Sequence, residues 1–367
     1  GVRTLFDPEV PNAWCGASDD EGVLYVGTGN EGRVYRIDGE EGREDFDADE
    51  LEVYALAAGP DGRLYAGTSP DGAVYVVGDD GSARSVFDPP DRYVWALAFD
   101  DAGRLVVATG GDEGHVYRLE PGGEAETLLT SAETHVLSLA VDGGGRVFAG
   151  SSPGGLVYRI YTSGKVFVLL DSAFREIKAL AVGGDGVLYA AAVNGGAASP
   201  PPPPTPTPPG TAAPTATPTA QVTVSESFAV VPPAGGAPAA VTTVTSAASS
   251  TPRGALLRID PGETTERLWS STEDVPHALL STEGGVLVGT GDEGKLYRVT
   301  GEGVWTLLAS VPTQQVTGLV ARPDGAVALV TSNPARVLTL DRETAAEGTF
   351  VSEVKDAEAT AAWGRLR

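Results

Sequence analysis

The sequence predicts an all-β chain built from a repeated four-stranded unit, and three observations predict it. One phrase recurs seven times: Gly22-Val23-Leu24-Tyr25-Val26-Gly27-Thr28 returns as Gly62-Arg63-Leu64-Tyr65-Ala66-Gly67-Thr68, then as Gly103-Arg104-Leu105, Gly145-Arg146-Val147, Gly186-Val187-Leu188, Gly285-Val286-Leu287 and Gly325-Ala326-Val327. The apolar markers Leu24, Leu64, Leu105, Val147, Leu188, Leu287 and Val327 are separated by 40, 41, 42, 41, 99 and 40 residues. Within each repeat, apolar residues alternate at every second position and the pattern breaks at Gly, Asp and Pro. That is the period of short strands, not the 3.6-residue period of helices. Repeats of roughly 40–45 residues with four strands apiece close into rings. The expected fold is therefore a seven-bladed β-propeller of four-stranded antiparallel blades, spanning 1–348.

The elements follow in chain order. Arg3-Thr4-Leu5-Phe6-Asp7 reads as an outer strand with no blade of its own. It is expected to pair beside Arg336-Val337-Leu338-Thr339-Leu340 of the last blade and shut the ring, leaving only short edges. Each blade then runs A to D. In the second, A is Val53–Ala57, B is Leu64–Gly67, C is Val74–Val77 and D is Ser85–Asp88. The turn Pro60-Asp61-Gly62 joins A to B, and both Asp and Gly tolerate the positive φ of a tight reversal. A strands such as Ala96-Leu97-Ala98 and Ala179-Leu180-Ala181 are small and apolar. They suit the crowded innermost position beside a central channel. Val-Tyr-Arg recurs on C strands at 34–36, 116–118 and 157–159. Its period marks it as structural, with Tyr filling between blades and Arg pairing with Asp or Glu.

The one long interval locates an insertion at about 195–253, between strands B and C of the fifth blade. It is rich in Pro, Thr and Ala and opens on five consecutive prolines from Pro200 to Pro204. Such a segment buries too little apolar surface to offset its ordering entropy, so polyproline II or disorder is expected. Its middle, Gln221–Val231, is strand-like and suits a small hairpin or a docking segment. Thr349–Glu353 leads away from the ring. Residues 349–367 read as an exit strand, a frayed tail or the start of a truncated second module.

Charge and composition bound the function. The 367 residues carry 25 Lys and Arg against 50 Asp and Glu, a formal charge of −25. Such a surface repels phosphate backbones and anionic lipid, which argues against nucleic acid and membrane surfaces as partners. It favours a basic, cationic or neutral ligand, or simply confers solubility. The lone Cys15 allows no internal disulfide and no thiolate metal site, and reads as a small buried residue. No apolar run is long enough for a transmembrane helix, and no signal peptide is visible. With no methionine at all, the chain reads as a processed protein or a monomeric ring cut from a longer one.

Candidate sites come from where the repeat breaks its own pattern. Gly27–Gly32 and Gly289–Gly294 match G-x-G-x-x-G, but strand patterns follow them, where a dinucleotide site needs a helix. The same B–C turns are acidic at Asn30-Glu31, Asp71, Asp112-Glu113 and Asp292-Glu293. Calcium is the one cofactor they bring to mind, yet none has a dense oxygen array, so solvated turns are the plainer account and no cofactor is expected. The B–C and D–A loops emerge on one face, which also carries the starts of the A strands. Equivalent positions there are Trp14, Tyr54, Trp95, Leu137, Lys178, His277 and Thr317, with Asn12, Glu52, Tyr93, His135, Glu176 and Gln315 beside them. This varied set at a channel mouth is the candidate ligand site: Trp14, Tyr54, Tyr93, Trp95, His135, Glu176, Lys178, His277 and Gln315. The aromatics either stack on a ligand or plug the channel. His115, His135 and His277 all fall toward this face, on the third, fourth and sixth blades. No catalytic triad or carboxylate pair stands out.

Leu64-Tyr65-Ala66-Gly67-Thr68 and Gly32-Arg33-Val34-Tyr35-Arg36-Ile37-Asp38 resemble two-component-regulator and YVTN/WD40-like propeller repeats, and those of uncharacterised secreted bacterial propellers in particular. The recurring Trp-Asp and Gly-His pairs of WD40 repeats are not repeated here. Trp14, Trp95, Trp269 and Trp305 do not all share one repeat position, unlike the docking tryptophans of quinone-cofactor propellers. The resemblance implies a secreted, periplasmic or envelope location. It also implies a noncatalytic binding or sensing module for a protein, peptide or glycan. A metal-assisted hydrolase or lyase of the lactonase kind, with its site at the channel mouth, and a structural spacer are the other two readings.

Overall fold

Every element in the described part of the computed structural model is a β-strand, as the two-residue alternation requires. The structure describes residues 1–48, 50–78, 80–120, 124–194 and 251–340. The chain divides into two compact units, Gly1–Gly195 with Pro252–Arg367, and Gly196–Thr251. Nearly all of the insertion expected at 195–253, and the whole tail 349–367, lie outside the described residues. Among the described residues no helix is long and apolar enough to cross a membrane.

In chain order the strands are β1 Val2–Phe6; β2 Ala13–Ser18, β3 Leu24–Thr28, β4 Arg33–Asp38, β5 Glu41–Asp47; β6 Glu52–Ala58, β7 Leu64–Ser69, β8 Val74–Val77, β9 Ala83–Phe87; β10 Tyr93–Phe99, β11 Leu105–Gly110, β12 His115–Leu119, β13 Ala125–Thr130; β14 His135–Val141, β15 Val147–Ser152, β16 Leu156–Ile160, β17 Val166–Asp171; β18 Glu176–Val182, β19 Leu188–Val193, β20 Gly254–Ile259, β21 Thr265–Ser271; β22 Pro276–Thr282, β23 Gly285–Thr290, β24 Lys295–Gly301, β25 Val304–Ser310; and β26 Gln315–Ala321, β27 Val327–Ser332, β28 Arg336–Leu340. They pair antiparallel into five four-stranded sheets and one of eight strands. The larger sheet is β10–β13 and β14–β17 bridged by the single pair Gly110–His135. By pairing, the described strands thus fall into seven four-stranded arrays. The long interval lies between β19 and β20, which pair directly from Leu188–Ile259 to Val193–Gly254.

β1 pairs with β28, Val2 opposite Leu340 and Phe6 opposite Val337, so the first residues complete the last array. Leu5 is buried there, and Phe6 reaches the Tyr35 ring of the first array at 5.5 Å. Across the same seam, Ser332 Oγ and Thr317 Oγ1 each donate to the Ala13 carbonyl at 2.7 Å.

The glycine of the repeated phrase has a packing cause. A Cβ on Gly27 would lie 2.7 Å from Val53 Cγ1 of the next array, and one on Gly289 would lie 2.6 Å from Val316 Cγ1. At the seam the sizes invert. Val330 holds the glycine position, and the facing strand offers Ala13 and Gly16. The volume at each interface is therefore shared differently but filled.

Details of the expected turns and pairs are corrected. In the A–B turn only Gly62 takes positive φ, at 75°. Asp61 instead accepts the Arg63 amide on its carboxylate at 3.1 Å, the side-chain mimic of a turn. The second outer strand begins at Ala83, two residues earlier than expected, because Ala83 pairs with Val77. Of the recurring arginines, Arg118 and Arg159 pair with Glu126 and Glu263, both at 2.6 Å. Arg36 donates to the Tyr25 hydroxyl at 3.1 Å. The tyrosines beside these arginines are buried between arrays.

Candidate functional site

The inner strands β2, β6, β10, β14, β18, β22 and β26 share one irregularity. Each shows a register shift against its neighbour at the same place: Ala13/Cys15, Val53/Ala55, Val94/Ala96, Val136/Ser138, Ile177/Ala179, Pro276/Ala278 and Val316/Gly318. The residue skipped is Trp14, Tyr54, Trp95, Leu137, Lys178, His277 or Thr317. A bulge adds a residue without a ladder partner and re-aims its side chain. All seven line a single pocket of about 570 Å³, together with Gln315. The preceding residue of each strand is buried, and each bulged residue is only half-buried. Two positions further down, Leu56, Leu97, Leu139, Leu180, Leu279 and Leu319 also line the pocket. With Gly16 at the equivalent place in the first array, they give the varied mouth an apolar collar.

One side of the mouth is aromatic. Ring centroids run 5.7 Å from Trp14 to Tyr54, 4.8 Å from Tyr54 to Trp95, and 5.1 Å from Trp95 to the stacked ring of Tyr93. Both indole N–H groups are tied back to the rim. Trp14 Nε1 donates to the Glu52 carboxylate, and Trp95 Nε1 donates to His135 Nδ1 at 3.2 Å. Burial raises the Glu52 carboxyl above its usual range, although the Trp14 bond opposes this. Burial, then the Glu52 charge, pushes the Tyr54 phenol up to about 12. Burial lowers His135.

The other side is polar. Lys178 Nζ lies 3.3 Å from Glu176. Burial, reinforced by the Lys178 charge, pushes His277 down to about 4, so its ring is neutral at pH 7. Cys15 also lines the pocket. It donates its S–H to the Val53 carbonyl at 3.3 Å, and burial pushes its thiol up to about 12, leaving no thiolate for chemistry.

Six of the residues expected at the site line this pocket: Trp14, Tyr54, Trp95, Lys178, His277 and Gln315. Tyr93, His135 and Glu176 stand behind it, each touching a lining residue. The three histidines do not converge. His115 Nδ1 sits 3.0 Å from Asp91. The same carboxylate accepts from Thr109 at 2.7 Å and Tyr117 at 2.9 Å. Among the described residues no group of three or more His, Cys, Asp or Glu is placed to hold a metal ion. In the acidic B–C turns, Glu31, Asp292 and Glu293 form ion pairs with Arg33, Arg253 and Lys295.

Sequence reasoning missed a larger hollow of about 1270 Å³ on the opposite face, lined by the A–B turns of the first three arrays. The signal lies in the repeated Asp of those turns, which along the chain marks only a reversal. Asp19 and Asp100 hold their own turns, each accepting backbone amides. Side chains committed in this way build a surface more than they offer a site, and the mouth remains the better candidate.

The chain has the β-propeller fold. Solved structures that match it include selenomethionine-substituted virginiamycin B lyase from Staphylococcus aureus, 12% identical with a TM-score of 0.64 over 93% of this chain and 99% of that one. The extracellular domain of BT4673 from B. thetaiotaomicron is 13% identical, with a TM-score of 0.60 over 92% of this chain and 39% of that one. YCF48 bound to D1 peptide is 13% identical, with a TM-score of 0.61 over 95% and 97%. No family model matches the chain, and no curated protein matches its sequence. At such identities the likeness carries the fold alone, and activity has to be argued from the blades' own residues.

Proposed function

We propose that this propeller is a noncatalytic binding or sensing module that takes a peptide or protein segment at its channel mouth. One observation carries the reading. Seven bulges deliver the seven side chains that break the repeat into one pocket. A chain needing only a closed ring has no use for six residue types spread over seven equivalent places. The aromatic side supplies large rigid contact area at low entropy cost, the usual source of binding hot spots. A peptide-bound neighbour and an extracellular neighbour support the partner class and an envelope or secreted setting by analogy only.

Replacing Trp14, Tyr54 and Trp95 together by alanine tests it. Capture from a peptide or glycan array should weaken by at least about 100-fold, with the melting temperature little changed. Undiminished capture by the folded triple variant would overturn the reading.

A further inference from the structure

We propose that the group received at the mouth is cationic, the guanidinium or ammonium of an arginine or lysine side chain laid against Trp14, Tyr54 and Trp95. The inference rests on the binding role proposed above and adds the chemistry of the ligand.

Three features point to it. The rings form one continuous wall, and both indole N–H groups are already engaged by Glu52 and His135. With those N–H groups committed, what the indoles can still offer a ligand is their π-systems, whose electron-rich faces attract cations. The second feature is local charge. Among the described residues the one cation lining the pocket, Lys178, is matched by Glu176 at 3.3 Å. Glu52 receives the Trp14 N–H and the Asn30 backbone N–H, and among the described residues no ion pair neutralises it. A carboxylate with no cation beside it thus adjoins the aromatic wall, on a chain of formal charge −25 that draws cations toward it. The third is depth. The leucines two positions further along the inner strands are apolar, so a charged tip is held at the level of the aromatic wall. A neutral sugar or planar ring could stack on the same rings but would leave the Glu52 charge without a counter-charge, and an anion would meet it unfavourably.

The test uses the full chain and a blocked pentapeptide, Gly-Gly-Arg-Gly-Gly, followed by calorimetry and tryptophan fluorescence. The comparison peptide carries citrulline, which keeps the shape and removes the charge. The arginine peptide should bind at least about tenfold tighter than the citrulline peptide. Glu52→Gln should weaken it several-fold, and Asp20→Asn on the opposite face should leave it unchanged. Equal binding of the two peptides overturns the inference, as does arginine binding that Asp20→Asn weakens as much as Glu52→Gln. A selection from random peptides separates the two readings. Mouth binders without a basic residue would remove the cation and leave the binding role. Absence of any binder sensitive to the Trp14, Tyr54 and Trp95 triple variant would remove both. Because the arginine–citrulline comparison uses the unaltered chain, it decides even where a variant fails to fold.

Discussion

His277 shows how much a single mouth residue is governed by its surroundings. Its ring has an ordinary affinity for protons in the unfolded chain, with a pKa near 6.5. In the fold, burial and Lys178 hold that value at about 4. Between those two values the unfolded state binds the extra proton, so His277 makes stability fall as pH drops through this window. Replacing it by Asn should shrink the loss of melting temperature between pH 7 and pH 5 relative to the unaltered chain. An identical pH dependence in the two proteins would show that the buried ring carries no such penalty. Tyr117 makes a complementary point. Its hydroxyl is satisfied by Asp91 from the loop entering its blade, and Tyr75, Tyr158 and Tyr297 are satisfied in the same way by Glu50, Ser131 and Asp274. Where the C strand carries Leu257 in place of Tyr, the loop supplies Phe174, and the two pack in one apolar cluster.

At the scale of the strand, the repeat is set by what each blade allows its neighbour. Gly27 leaves room for Val53 and Cys15 Sγ, each 2.7 Å from where a Cβ would stand. Gly27→Ala should cost about 1–3 kcal/mol through overpacking and lower the melting temperature by several degrees. Adding Val53→Ala should restore part of that loss, because the two positions share one volume. A double variant no more stable than the sum of the two single changes would count against a shared interface. The bulges belong to the same scale. One extra residue per inner strand turns a side chain that regular alternation would fix, and does so in every array at the same level. The mouth is therefore built by backbone geometry common to all blades and made specific by side chains that vary from blade to blade.

For the molecule as a whole, closure is the controlling event. β1 lies at the start of the sequence and β28 near the end of the described chain, so their pairing joins residues over 330 positions apart. Long-range pairing of this kind costs loop entropy before any contact repays it. Removing residues 1–7 would leave β28 as an open edge and uncover the pocket of Leu5 and Phe6. The shortened chain should melt well below the full one and self-associate through the new edge, as light scattering would reveal. An unchanged melting temperature and a monomeric truncated chain would show that the ring holds without its clasp.

The sequence by itself determined the all-β class, the order of the elements within a blade and the pairing of the first residues with the last. These depend on a two-residue alternation, on Gly and Asp at the turns, and on a count of outer strands, all of which are local or arithmetical. It also singled out Trp14, Tyr54, Trp95, Lys178 and His277, which stand where the repeat fails to repeat and which the fold brings into one pocket. Only the tertiary structure decided which of these side chains share a pocket. Tyr93, His135 and Glu176 are sequence neighbours of lining residues yet stand behind them, and His115 belongs to Asp91. A one-residue bulge changes the direction of a side chain without changing composition or period, so no pattern along the chain records it. Convergence, likewise, is a property of strands some 40 residues apart in sequence and adjacent only once the ring has closed.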